Sequence, residues 1–124
     1  MRASIPLPAD PSTAAVARRF VREALGRWRL DRLEPDASLL ATELVTNGLR
    51  YGGGARSMTL RTRRGRLRIE VADRDPWRSP RLRTPSPTAE GGRGLALVEE
   101  VATEWGTRRS RVHRGKVVWC ELGL

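Results

Sequence analysis

The stretch Leu39–Gly54 constrains the fold more than any other part of the chain: Leu-Leu-Ala-Thr-Glu-Leu-Val-Thr-Asn-Gly-Leu-Arg-Tyr-Gly-Gly-Gly. Wound as a helix at about 100° per residue, it gathers Leu40, Ala41, Leu44, Val45, Gly48 and Leu49 into one apolar arc. Such an arc requires a second layer to cover it. Glu43, Asn47 and Arg50 follow at i, i+4 and i+7 along one edge of the arc, so a carboxylate, a carboxamide and a guanidinium project side by side. The triple glycine ends the helix, because glycine takes the left-handed cap conformation without a Cβ penalty. A solvated polar face is the commoner meaning of such a row. Its position at the border of the buried arc, the glycine-rich helix end and two downstream motifs favour a binding site instead.

Past the glycines the apolar period shortens to two. Ser57–Thr62 and Leu67–Ala72 alternate around a turn at Arg64-Gly65, which predicts an antiparallel hairpin. It runs out in Asp73-Arg74-Asp75-Pro76. Upstream, Ala3–Pro8 reads as an extended edge segment, since proline cannot donate to a ladder. Asp10-Pro11 opens a helix with Asp10 as N-cap. Ala17, Phe20, Val21, Ala24 and Leu25 carry it to Trp28, and Arg18, Arg22 and Arg29 make its other face basic. Glu34-Pro35-Asp36 starts the helix of the central stretch.

Residues 77–91 have no periodicity and contain prolines at 80, 85 and 87, so they read as an exposed lid loop. Gly91-Gly92-Arg93-Gly94 then opens a helix whose face is Leu97, Val98, Val101, Ala102 and Trp105, ended by Gly106. Thr107–Val112 and Lys116–Leu122 are the last two strands, turning at Arg114-Gly115. Strands and helices in this order predict an α+β fold: a two-layer sandwich with a mostly antiparallel sheet and about three helices on one face. The length, 124 residues, is that of one domain.

Composition excludes several classes. No apolar run is long enough to span a membrane, the start has no signal-peptide core, and the single cysteine, Cys120, rules out an internal disulfide. A cytoplasmic protein is expected. The net charge is +10, and Lys116 is the sole lysine. The arginines are scattered, with modest clusters at 61–64 and 108–111. That bias more often reflects a GC-rich genome than a nucleic-acid surface, so direct nucleic-acid binding is not expected. The charge favours an acidic partner or a polyphosphate ligand.

The candidate chemistry lies in three places. The glycine turn at 91–94 exposes backbone N–H groups at a helix start, where a phosphate can sit. Asp73, closing a strand, can accept a hydrogen bond from an exocyclic amine, although strand-end aspartates also cap turns. Asn47 offers a neutral oxygen suited to Mg²⁺ that takes further ligands from phosphates. Glu43 can serve as a base, and Arg50 can meet a phosphate.

These residues carry a family resemblance. Glu43-Leu-Val-Thr-Asn47-x-x-Arg50-Tyr51 resembles the N box of the GHKL (histidine-kinase-like) ATPase superfamily. Asp73-x-Asp75-Pro76 sits where the G1 box belongs, and Gly92-Arg93-Gly94-Leu95 resembles the G2 box. Order, spacing and lid are similar to the bacterial anti-sigma-factor serine/threonine kinases of the RsbW and SpoIIAB type, and to stand-alone ATP-binding regulators of actinobacteria. The resemblance spans Leu7 to Leu122. It implies the Bergerat-type sandwich, ATP and Mg²⁺ as cofactors, Asn47 as the metal ligand and Glu43 as the catalytic base that activates a serine hydroxyl. It further implies that Asp73 binds the adenine amino group, that Gly92 and Gly94 cover the phosphates, and that Arg50 or Arg93 reaches the terminal phosphate. Tyr51, Asp75 and Leu95 complete the three boxes. The implied partners are a STAS-domain anti-anti-sigma protein as phosphoacceptor and a sigma factor as the sequestered protein, with a homodimer expected. Two departures favour an alternative, a nucleotide-binding or nucleotide-free sequestering module without kinase turnover. Asp75-Pro76 replaces the first glycine of the Asp-x-Gly-x-Gly pattern and its neighbour, and Glu90 stands where the kinases have a basic residue.

Overall fold

A computed structural model describes residues 1–51, 53–75 and 98–124; of Tyr51 it describes the backbone. Five strands form one sheet: β1 (Arg2–Pro6), β2 (Ala55–Arg63), β3 (Arg66–Asp73), β4 (Glu104–Arg109) and β5 (Lys116–Gly123). Their order is β1-β2-β3-β5-β4, and every neighbouring pair is antiparallel. Two long helices, α1 (Thr13–Arg27) and α2 (Glu34–Tyr51), pack on each other, and a short 3-10 turn (Asp31–Leu33) joins them. Residues 98–101 are also helical. This is the expected α+β sandwich with its helices on one face. No helix of the described residues is long and apolar enough to cross a membrane.

Period-two patterning sorts the strands. Met58 and Leu60 of β2, Leu67, Ile69 and Val71 of β3, and Val118, Cys120 and Leu122 of β5 point to one face and are buried. Ala17, Phe20, Val21, Ala24 and Leu25 of α1 close on that face with Leu40, Ala41, Leu44 and Val45 of α2. Truncating a leucine at such a site costs about 2–5 kcal/mol, so the seating of α2 is strongly determined. The opposite face has no second layer among the described residues. It is covered by charge: Arg61 and Arg68 reach Glu70 at 3.1 and 2.9 Å, while Arg66 and Arg68 reach Glu121 at 2.9 and 3.1 Å. Arg68 also lies over the Trp119 ring, 4.0 Å from its centroid.

The ends of the elements show how local chemistry decides boundaries. The glycines after α2 do cap it: Gly53 and Gly54 hold φ of 71° and 106°, and the Gly54 N–H donates to the Gly48 carbonyl at 3.0 Å. Arg64 and Gly65 both have positive φ (52° and 75°), as a two-residue hairpin turn between twisted strands requires. Asp10 is not the N-cap of α1. Its carboxylate accepts the Ser12 N–H and hydroxyl, and the helix begins at Thr13 with Ser12 in the cap position.

Two further sequence expectations are corrected. The helix face drawn through Trp105 is wrong, because residues 102 and 103 leave the helix. The Ala102 N–H closes the last turn on Val98, and the Thr103 N–H already donates to the Glu121 carbonyl at 2.8 Å. Trp105 therefore lies in β4 opposite Cys120, and Gly106 opposite Trp119. A Cβ on Gly106 would come within 2.8 Å of the Trp119 ring, so this glycine makes room for an indole and does not stop a helix. Likewise β4 ends at Arg109, short of Val112. The Ser110 hydroxyl accepts the N–H groups of Val112 and His113, which diverts donors that would have extended the ladder.

Gly115 immediately precedes β5 and lies against the end of β3. Its φ is 153°, and a Cβ there would lie 1.9 Å from the Asp73 carbonyl oxygen. Gly65, with φ of 75°, has nothing within 4 Å of its would-be Cβ. Gly115→Ala should therefore cost about 3 kcal/mol or more in urea unfolding. Gly65→Ala should cost only the left-handed backbone term of about 1–2 kcal/mol.

Candidate functional site

The site is assembled at the end of the molecule where α2 terminates. Gly48 lies in α2 one residue after Asn47, and a Cβ on it would touch Ala55 at 3.5 Å. Ala55 opens β2 and pairs in register with Asp73, the last residue of β3. The final turns of α2 and the end of β3 thus meet across a single small residue. A larger side chain at 48 or 55 would wedge them apart.

Along the α2 edge the three polar residues differ in depth. Asn47 is 4% exposed, Glu43 is half-buried and Arg50 is exposed. The expected row is therefore tilted into the core, with the carboxamide deepest. Burial pushes the Glu43 carboxyl above its ordinary value, and the Arg50 charge pulls it part of the way back. Arg50 and Glu43 are thus close enough to interact, as their spacing of two helical turns implies. The Asn47 Oδ1 atom is buried and accepts no hydrogen bond. Leaving such an acceptor unmade costs about 1–3 kcal/mol, and a bound group that completes it is the usual reason to keep one.

Asp73 is buried as well, 2% exposed. Its Oδ1 accepts the Asp75 N–H at 3.0 Å. Its Oδ2 lies 2.8 Å from Lys116 Nζ, a buried ion pair that compensates the charge. Burial pushes the Asp73 carboxyl upward, and Lys116 opposes that. Lys116 faces Asp73 across the β3–β5 ladder and also donates to the Asp75 carbonyl at 3.1 Å. Sequence reasoning noted Lys116 as the only lysine and assigned it no role. The available signal was a lone ammonium opening a largely apolar strand in a chain that uses arginine everywhere else. A compact ammonium fits a buried one-to-one pairing that a planar guanidinium does not.

Of the residues singled out in the sequence, Glu43, Asn47, Arg50, Asp73 and Asp75 all lie on α2 and the end of β3. Tyr51 ends α2, and its side chain lies outside the described residues. Gly92, Arg93, Gly94, Leu95 and the lid 77–91 lie outside them too. Among the described residues no three His, Cys, Asp or Glu side chains converge as a metal site. A cation here would therefore take one neutral oxygen from Asn47 and the rest from a ligand and water. That donor set fits Mg²⁺ carried by a polyphosphate, which is bound through few protein groups. A ligand N–H at Asp73 would share the carboxylate with Lys116.

A family model described as histidine kinase-like ATPase domain matches residues 7–121. No curated protein matches the chain.

Raising a carboxyl's folded pKa makes ionisation cost more in the fold than in the unfolded chain. The Glu43 contribution is therefore favourable below the ordinary value of 4.5 and is lost as pH rises through the elevated one. Glu43→Gln should raise the melting temperature at about pH 8, and the gain should close as the medium is acidified toward 4.5.

Proposed function

The chain belongs to the family of histidine kinase-like ATPase domains, and from that premise we propose that it is an ATP-dependent regulatory serine/threonine kinase of the anti-sigma-factor type. The observation that carries the proposal is the buried, unpartnered Asn47 oxygen one helical turn from a half-buried carboxylate. Asn47 would hold Mg²⁺ and Asp73 would accept the adenine amine. Bound Mg-ATP would supply an electrophilic terminal phosphate, with the metal neutralising the charge on its oxygens.

The remaining work falls to the chain's own groups. Glu43 takes the proton from the acceptor hydroxyl, and its upward shift moves it toward the pH at which a base works best. Arg50, on the exposed side of the same edge, reaches the phosphate chain. Gly92, Arg93 and Gly94 supply the glycine turn that the family places over the phosphates. The phosphoacceptor would be a serine or threonine of a STAS-domain anti-anti-sigma protein, and the sequestered partner a sigma factor. A homodimer and a cytoplasmic location accord with that role.

A second reading has its own support. Lys116 presses on Asp73, and a carboxylate already compensated by an ammonium is a weaker acceptor for an adenine amine. With Pro76 and Glu90 at departures from the family pattern, this favours a module that sequesters its partner without turnover.

Calorimetric titration with Mg-ATP, followed by labelled-phosphate transfer to STAS proteins of the same genome, separates the two. On the kinase reading, Asn47→Ala weakens Mg-ATP binding at least about tenfold while leaving the melting temperature little changed, because no protein partner is lost. Glu43→Ala keeps binding and lowers transfer by about 10²–10⁴. A wild-type chain that binds a sigma factor but takes up no Mg-ATP decides for the second reading.

A further inference from the structure

The face of the sheet turned away from the helices carries a groove of about 630 Å³, which crosses β1, β2 and β3 and is walled by the loop between β4 and β5. Arg2, Arg61, Arg63, Arg108 and Arg111 line it, with Glu70 as the one carboxylate. Glu70 is already engaged by Arg61 at 3.1 Å and Arg68 at 2.9 Å, with Arg108 at 3.9 Å. Among the described residues, Arg2, Arg63 and Arg111 have no ion-pair partner, and all three are exposed. The groove therefore holds a concentrated, uncompensated positive charge. Its wall also carries Val112, 83% exposed, the most exposed large apolar side chain among the described residues. Val117 and Ala72 add apolar surface to the lining.

We propose that this groove docks an acidic polypeptide segment of a protein partner, one that carries apolar side chains between its carboxylates. Arg2, Arg63 and Arg111 take the carboxylates, and Val112 takes an apolar side chain. Two other occupants fit worse. A nucleic-acid backbone would set phosphates over Glu70, and for base stacking the described lining offers a single ring, the His113 imidazole; the nearby Trp119 ring is covered by Arg68. A second copy of the chain across a two-fold axis would bring the same five arginines face to face. The proposal does not rest on the nucleotide reading, because the groove lies on the opposite side of the sheet from α2.

The test is fluorescence anisotropy of the full chain with a labelled twelve-residue peptide of glutamate and leucine, its glutamine counterpart, and a labelled single-stranded oligonucleotide. Binding of the acidic peptide should weaken with added salt, and the glutamine peptide should bind at least about tenfold more weakly. Arg2→Glu, Arg63→Glu and Arg111→Glu together should cost at least about tenfold. The charge-matched control on α1, Arg18→Glu, Arg19→Glu and Arg27→Glu, should change affinity by less than about threefold. If the charge-reversed groove does not fold, the three arginine-to-glutamine changes carry the same test. Val112→Ser should weaken the peptide and leave the oligonucleotide unaffected. Equal losses in the groove and α1 variants would show general charge attraction and overturn the proposal. So would no binding of the acidic peptide, or tighter binding of the oligonucleotide through the same three arginines.

Discussion

The seating of α2 on the β2–β3 hairpin holds the site end of the molecule together. Leu40, Leu44 and Val45 anchor the helix to the sheet, and the contact of Gly48 with Ala55 brings the helix end down beside Asp73. Because that contact lies between two small residues, the distance from the α2 edge to the strand end is set by backbone against backbone. Close packing of this kind transmits position well, since cores deform little. The depth order of Glu43, Asn47 and Arg50 follows from the same seating: the helix rolls until its apolar arc is covered, and Asn47 goes under with it.

A sheet covered on one face must keep the other soluble. Here β2, β3, β4 and β5 do it with cross-strand charge. Glu70 and Glu121 each sit within a set of arginines, and Arg68 serves both carboxylates while stacking on Trp119. Exposed ion pairs add little stability singly, but a half-buried network of shared arginines and carboxylates also excludes a stray strand or a second sheet. Arginine outnumbers carboxylate on this face, so the solution that keeps the sheet soluble also leaves it strongly positive. That surplus is a property of the outer face, whereas the polar groups tied to α2 and Asp73 lie on the covered side. One layer therefore presents two chemically different surfaces.

Several elements were legible residue by residue. The apolar spacing of Ala17 to Leu25 and of Leu40 to Leu49 marked both long helices, and the alternation on either side of Arg64-Gly65 marked the hairpin. The errors came where a short motif served two periods. Val98, Val101, Ala102 and Trp105 match a helix, yet Trp105, Thr107 and Arg109 equally match one face of a strand. The sheet won because Thr103 and Trp105 find partners at Glu121 and Cys120 of β5, a choice that depends on residues well outside the local window. Val112 fell outside its strand for a purely local reason, the competing hydroxyl of Ser110.

The amphipathic helix, the glycine stop, the hairpin and the polar row on α2 were determined by the sequence alone, because each rests on contacts within a few residues or on a periodicity that one window contains. The tertiary structure alone decided that Lys116 faces Asp73, that Gly115 must clear a carbonyl oxygen, that the Asn47 oxygen is left buried without a partner, and that five scattered arginines share one groove. Those facts depend on which strands lie side by side and in what register. Pairings between distant segments are set by the packing of the whole sheet, so no local window of the chain contains them.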